Sequence, residues 1–511
     1  MARELTYKEC RNSCPEVKFN CQSTEELTPL TEIIGQDRAA RALQFGLRIQ
    51  TPGFNVFVSG LPGTGRKTAI LNFIKELAKT SPTPSDWCYV NNFHDSSQPN
   101  AMPVPAGLGI ELKSEMEKVA SGIAQALREA FESTEYAQKR QSTLRDIQQE
   151  RSDFVDSMNK MAGDAGFQIV QSPIGLMLAP VVNGKAISEE QFSQLPLKVQ
   201  KETELKRQEL QVEVQKSIIQ LRDIDRKAEE VVNKLNRDVA GFVLQPRLLG
   251  LRKKFKDNEE VLDFIKHVED DILNNIGPLL QAEAPPQPGP FGIPMPQDGP
   301  KRNYGVNLIV DHSKLQGAPV EIEMNPSYYR LFGAAEKEAK FGALFTDYTM
   351  IRAGAAHRAN GGFLVVPVEG LFQDPLAWPA LKQTLSNAKL EIEEPAARMG
   401  YMVTKSLRPE PIPFKAKVIL LGDPYAYDLL YSMDKDFREL FKVKAEFDTT
   451  MERNEENVMK YASFVCTLCH KEDLLHLDPS GLAAIIEYSS RMVEDQNKLA
   501  TLFAEVANVI R

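Results

Sequence analysis

A chain of 511 residues is too long for one hydrophobic core, and about two to four units are expected. With 42% hydrophobic and 26% charged residues it reads as a globular protein, which excludes the disordered and fibrous classes. A net charge of -9 counts against nucleic acid as the main partner, and the sequence has neither a secretory leader nor an apolar run long enough to span a bilayer, so a cytoplasmic protein without membrane contact is expected.

Residues 1–26 are mixed in character and read as an irregular segment. Residues 27–107 alternate helix and strand signals, the first part of an α/β domain. Glu32–Arg48 carries Ile33, Ile34, Ala39, Leu43, Phe45 and Leu47 at helical spacing. Phe54–Ser59 reads as a short buried strand that runs into a glycine-rich turn, Lys67–Leu77 as a helix and Trp87–Val90 as a second strand. Strand, turn, helix and strand make a βαβ unit, which implies a parallel sheet.

Residues 108–280 change texture. Leu112, Met116, Val119, Ile123 and Leu127 step by threes and fours, as do Leu210, Val214, Ile218, Leu221, Ile224, Ala228, Val232, Leu235 and Val239. A narrow apolar seam among charged and Gln positions reads as coiled coil. Between the two stretches, residues 166–184 are rich in β-formers and end in Asn183-Gly184, a hairpin turn signal. The expected element is an antiparallel helical arm with a small β tip, roughly 60 Å long if each helix has some forty residues. Residues 281–304 are Pro- and Gly-rich and read as a linker. Pro296–Pro300 within it has no following Ser and is not taken as a nucleophile loop.

Residues 305–450 return to α/β texture, with strands at Val306–Val310, Gly362–Pro367 and Lys417–Gly422 and a helix at Trp378–Ser386. Residues 451–511 read as helical throughout, and Arg511 falls inside an unbroken helical pattern, so more protein is expected beyond it. The six cysteines are Cys10, Cys14, Cys21, Cys88, Cys466 and Cys469. Cys466-Thr-Leu-Cys469-His470 matches a haem-attachment pattern, but Val458–His470 reads as one helix with both thiols as small buried hydrophobes. No metal site is nominated.

Chemistry concentrates in Gly60-Leu-Pro62-Gly63-Thr64-Gly65-Arg66-Lys67-Thr68, between a strand and a helix. Such a loop wraps backbone N–H groups around phosphate oxygens, and the helix N-terminus adds a favourable dipole. Its Lys reaches the β- and γ-phosphates and the next Ser or Thr holds Mg²⁺. Arg66 stands at the Lys position, Lys67 at the Ser/Thr position, and Thr68 comes one residue late. The second element of such a site is a strand ending in Asp-Glu. Phe363–Val366 is followed instead by Pro367 and Val368, and Glu369 is displaced by one residue.

These segments resemble the Lon-like AAA+ proteases of the LonC-type branch with a coiled-coil insertion. The resemblance rests on Ile34–Ala39, on Gly53–Phe57, on Met350–Gly362 with its His357-Arg-Ala-Asn-Gly-Gly362, and on Asp434–Phe447. It implies a P-loop NTPase parallel sheet, a long antiparallel coiled-coil insertion and an all-α lid domain. It also implies a homo-oligomeric ring, six-fold in this family, that passes unfolded protein substrates to a Ser–Lys protease domain. No such dyad is nominated in this chain; the protease domain is expected after Arg511. Gly35 and Gln36 resemble the adenine-side wall, Asp423 the sensor at a strand end and Arg438 an arginine finger, while Leu502 stands where the lid often carries a sensor arginine. With these departures ATP or ADP is expected to bind weakly, with little hydrolysis and no dependable Mg²⁺ site. Phe167, Ile169, Ile174, Leu176 and Met177 at the arm tip are candidates for substrate contact or for the tip's own core. The alternative reading is a ring-forming AAA+ chaperone or scaffold without proteolysis; a working ATPase that remodels macromolecules or binds DNA ranks third.

Overall fold

The computed structural model describes residues 3–6, 10, 12–15, 19–30, 34–172, 175–182, 185–187, 189–192, 196–281, 300–340, 343–400 and 407–511. The chain divides into two units, Met1–Ser114 with Gly305–Arg511, and Glu115–Tyr304. In chain order the elements begin with α1 (Asp37–Arg48), β1 (Val56–Ser59), α2 (Arg66–Thr80), β2 (Asp86–Val90) and β3 (Asn100–Val104). There follow α3 (Gly109–Phe131), α4 (Thr134–Asp164), β4 (Phe167–Ser172), β5 (Gly175–Val182), β6 (Lys185–Ala186), α5 (Leu197–Lys254) and α6 (Glu259–Asn274). The first unit resumes with β7 (Val306–Val310), β8 (Val320–Ile322), β9 (Phe363–Pro367), α7 (Val368–Gln373), α8 (Ala377–Asn387), β10 (Lys417–Gly422), α9 (Pro424–Met433), α10 (Lys435–Leu440) and β11 (Val443–Glu446). It closes with β12 (Thr450–Glu452), α11 (Glu455–Glu472), α12 (Pro479–Val493), β13 (Lys498–Ala500) and α13 (Phe503–Ile510).

The central sheet has five strands in the order β11-β1-β10-β9-β8, and every ladder in it is parallel. Parallel strands covered on both faces read as continuous apolar runs, and β1, β9 and β10 do. Their successive side chains alternate between two cores, as the strand pleat requires. Phe57, Leu364, Val366, Val418 and Leu420 pack with Trp378 and Leu381 of α8 and Phe437 of α10. Val56, Val58, Val365, Ile419 and Leu421 pack with Leu43 of α1 and Ile70 and Ile74 of α2. The fold is therefore a parallel α/β sheet covered by helices on both faces, as the resemblance implies.

Three expectations change. First, Trp87–Val90 is a strand but not the parallel partner of β1. As β2 it pairs antiparallel with β3 and with β7 in a separate three-stranded sheet. An apolar run announces a buried strand without naming its neighbour. Here buried Asp86 sets the neighbour, because its carboxylate accepts N–H bonds from Gly107 and Gly109 at 2.9 Å and from His312 at 2.8 Å. Second, residues 451–511 are not helical throughout: β12 and β13 form an antiparallel ladder, Thr450 opposite Ala500. Third, the first helix starts at Asp37, not Glu32, with Gln36 before it. Ile33 lies outside the described residues.

In the lid, Val458, Tyr461, Val465 and Cys469 of α11 pack with Leu482 and Ile486 of α12 and Val506 of α13. Cys466 and Cys469 are both buried in this helical context.

The second unit contains the arm. The first helical stretch breaks after Phe131, and Ser133 caps the new helix by accepting the Tyr136 N–H at 3.2 Å. Helix α4 has 31 residues and α5 has 58, so the two are unequal rather than forty each. They run antiparallel. Tyr136 donates to Asn236 at 2.7 Å and Arg151 to Asp225 at 2.8 Å. Farther along, Ala162, Phe167, Leu178, Leu210 and Val214 form a small core. The tip is a three-stranded antiparallel sheet in the order β4-β5-β6. Asn183, Gly184 and most of the expected linker, residues 282–299, lie outside the described residues.

Candidate nucleotide site

The order of the central sheet brings three strand ends side by side: β1 into Gly60, β10 into Asp423 and β9 into Glu369. Ligands in open parallel sheets bind at such carboxyl ends. The glycine loop spans the gap between β1 and α2. Gly63 (φ 88°) and Gly65 (φ 74°) take left-handed backbone, which other residues adopt only with strain. Pro62, Lys67 and Thr68 are exposed, whereas Thr64 is buried and its hydroxyl donates to Leu61 O at 2.9 Å. The loop thus has the shape that cradles an anion.

Its charge is arranged differently. The Arg66 guanidinium turns inward and donates through Nη1 to the carbonyls of Gly60 and Gly422, the ends of β1 and β10. Burial lowers the Arg66 pKa, and the carboxylates of Glu369 and Asp423 oppose that shift. Arginine stays protonated throughout. The residue at the phosphate-binding position is therefore committed to strand-end carbonyls among carboxylates. Lys67, at the Mg²⁺-binding position, carries a positive charge and no oxygen. Among the described residues no three His, Cys, Asp or Glu side chains gather as a metal site.

The other nominated residues fall in two groups. Glu369 and Asp423 join Arg66. Asp423 also caps α9, accepting the Ala426 N–H at 2.6 Å. Gly35 (φ 61°) and Gln36 lie where the sheet meets the lid. The Gln36 side chain donates to Asp448 O at 2.8 Å and accepts the Asp448 N–H at 2.9 Å, and a Cβ on Gly35 would lie 2.5 Å from Met451 Sδ. Arg438, on α10, is exposed with its guanidinium 5.7 Å from the centre of the Tyr431 ring. At the tip, Phe167 is 2% exposed and belongs to the local core, Ile169 packs against that core, and Met177 is 44% exposed. Such burial leaves Phe167 unavailable to a partner. Ile174 and the side chain of Leu176 lie outside the described residues.

Sequence reasoning missed the lid's part. Leu502 precedes α13, and the next two residues meet the loop. Ala504 N–H donates to Gly63 O at 3.2 Å, and a Cβ on Gly63 would lie 3.1 Å from Ala504 Cβ. The Phe503 ring approaches Gly65 and packs on Tyr461 and Phe464. No charge pattern announces a backbone contact of this kind.

The segment His357–Gly362 proves to be a turn that launches β9. Asn360 donates to Pro413 O and accepts the Lys415 N–H, both at 2.8 Å. A Cβ on Gly362 would lie 2.1 Å from Pro319 O. His357 is buried, and neither ring nitrogen has a hydrogen-bond partner.

Comparison with known proteins finds matches along the chain. The family described as LonB-like, AAA domain, matches residues 316–448, and the archaeal LonB AAA+ ATPase LID domain matches 476–511. The Lon-like LonC helical domain matches 86–119, which covers β2, β3 and the start of α3. A protein of Escherichia coli (strain K12) named "Putative Lon protease homolog" is 25% identical over 172 residues, which are 32% of this chain and 28% of that protein. Among solved structures, NtrX from Brucella abortus aligns over 38% of this chain and 39% of its own at 12% identity. Its TM-score of 0.25 is too low to carry an argument. AAA+ domains of this type bind nucleotide.

Proposed function

That the chain carries a Lon-family AAA+ module is the premise from which we propose its role: a ring tier that gates or delivers unfolded protein to a Ser–Lys protease domain, with a nucleotide site that binds ATP or ADP weakly and hydrolyses little. The observation that carries this reading is the inward turn of Arg66. Phosphoryl transfer is catalysed largely by cations placed on the phosphates and by groups that aim water. Here the loop's arginine is bonded to Gly60 and Gly422 carbonyls, and Pro367 and Val368 replace the acidic pair.

On the same reading the α/β domain comprises residues 27–107 and 305–450, the insertion 108–280 and the lid 451–511. The ring is a hexamer in the cytoplasm. Among the described residues no helix is long and apolar enough to cross a membrane. Arg438 faces the neighbouring subunit, and Met177 at the tip meets substrate.

The test is casein degradation by the full gene product with and without ATP, together with phosphate release from the 511-residue chain. Equal degradation rates and negligible phosphate release are expected. Strict ATP dependence, or release that disappears in Lys67→Ala, overturns the reading. Ring assembly without any casein cleavage favours a chaperone or scaffold.

A further inference from the structure

We infer that the nucleotide site is latched from within, so that the protein's own groups hold lid to sheet: α13 is seated on the glycine loop, and Arg66 fixes that loop to the strand ends. This rests on the proposed reading of a site not used for turnover, but it makes a separate claim. A site can lack hydrolysis and still have a loose lid.

The latch is two sets of polar bonds joined through the backbone of the glycine loop. Arg66 joins the carbonyl ends of β1 and β10. Gly60 N–H also donates to Gly422 O at 3.2 Å, so the first residue of the loop is tied to the same strand end. Two residues before Gly65, the Gly63 carbonyl receives the Ala504 N–H at 3.2 Å, which brings in the lid. The Phe503 ring lies 4.9 Å from Phe464 and 5.7 Å from Tyr461, between centroids, so it is anchored in the lid core. A second hinge bond runs alongside, Thr501 N–H to Thr449 O at 2.9 Å.

The chemistry of the tie depends on arginine. Both bonds leave one nitrogen, Nη1, whose two N–H groups are held at fixed angles in the plane of the guanidinium. A lysine ammonium is a compact point charge whose donors rotate, and it holds such a pair less firmly. In an ordinary phosphate loop the cation stays free for the ligand, and the ligand then bridges loop and lid. Here a lid amide supplies the bridge to the loop, and the guanidinium holds the strand ends on which the loop stands.

Hydrogen exchange of the nucleotide-free 511-residue chain over residues 503–510 tests this. The wild-type helix α13 is expected to be protected, and ADP with Mg²⁺ should slow its exchange by less than about twofold. Arg66→Met should speed exchange of α13 by about tenfold, with Arg66→Lys between the two. Ala504→Glu replaces the methyl that faces Gly63 with a longer charged side chain without removing core, and should speed α13 to a similar extent. Peptides covering β9 serve as the control for folding and should not change. If α13 exchanges at the wild-type rate in both Arg66→Met and Ala504→Glu, the latch is refuted. It is refuted equally if ADP with Mg²⁺ protects the wild-type helix about tenfold. Brisk ATP hydrolysis with α13 still released by Ala504→Glu would sink the functional reading and leave the latch standing.

Discussion

Two glycine-bearing turns launch the central strands and helices of this protein, and they use their polar residues in opposite ways. At residues 60–65 the backbone keeps an anion-cradling shape while the neighbouring arginine bonds inward to the protein. At residues 357–362 the polar and glycine positions serve the backbone: Asn360 bridges two backbone groups, and Gly362 leaves room for the Pro319 carbonyl. The difference teaches that a motif fixes the path of the backbone before it fixes the direction of a side chain. A loop's glycines set its form whichever way its side chains turn.

Substitutions sharpen the contrast. Gly362→Ala places a methyl 2.1 Å from a backbone oxygen, which cannot swing away. A loss of about 3 kcal/mol or more in urea denaturation is expected, and a mild effect would mean the turn relaxes easily.

His357 is next. Its pKa is lowered from 6.5 to about 4, by burial first and by Arg358 second. The unfolded chain therefore takes up a proton near pH 6.5 that the folded chain refuses until about pH 4. Stability should fall by about 2.4 kcal/mol in urea midpoints taken from pH 7 to 4.5. His357→Leu should flatten the slope, and an unchanged slope would assign it to other groups.

Asn360→Ala removes two part-buried bonds, to Pro413 O and from the Lys415 N–H, at about 2 kcal/mol by the same assay. Gly65→Ala is the mildest. Its added Cβ meets only Phe503 Cδ2, in van der Waals contact at 3.7 Å, so only left-handed strain of about 1 kcal/mol opposes it. Should Gly65→Ala prove as costly as Gly362→Ala, the two turns are equally constrained and the contrast fails.

Much of the fold was legible because its signals are local. The apolar runs at Val56–Val58, Leu364–Val366 and Val418–Leu421 could only be buried strands, and the glycine loop between strand and helix set the class. The partner of Trp87–Val90 was not legible, since it depends on Asp86 gathering N–H groups from residues 107, 109 and 312. Nor was β8, the neighbour of β9. It is a strand of three residues, too short to give a period. At the site, the sequence disclosed that Arg66 replaces lysine and that Glu369 is displaced. It could not disclose that Arg66 turns inward, because the two carbonyls it meets are separated by more than three hundred residues of chain. The lid contact was hidden for the same reason, since Ala504 contributes only a backbone amide.

The ladder between β12 and β13 has a practical outcome. Thr450 and Ala500 are paired, so the helices α11 and α12 are entered and left at one spot. Residues 450–500 can therefore be exchanged with those of a relative at two neighbouring splice points that leave the five-stranded sheet uncut, provided the side chains that meet Val506 of α13 are kept.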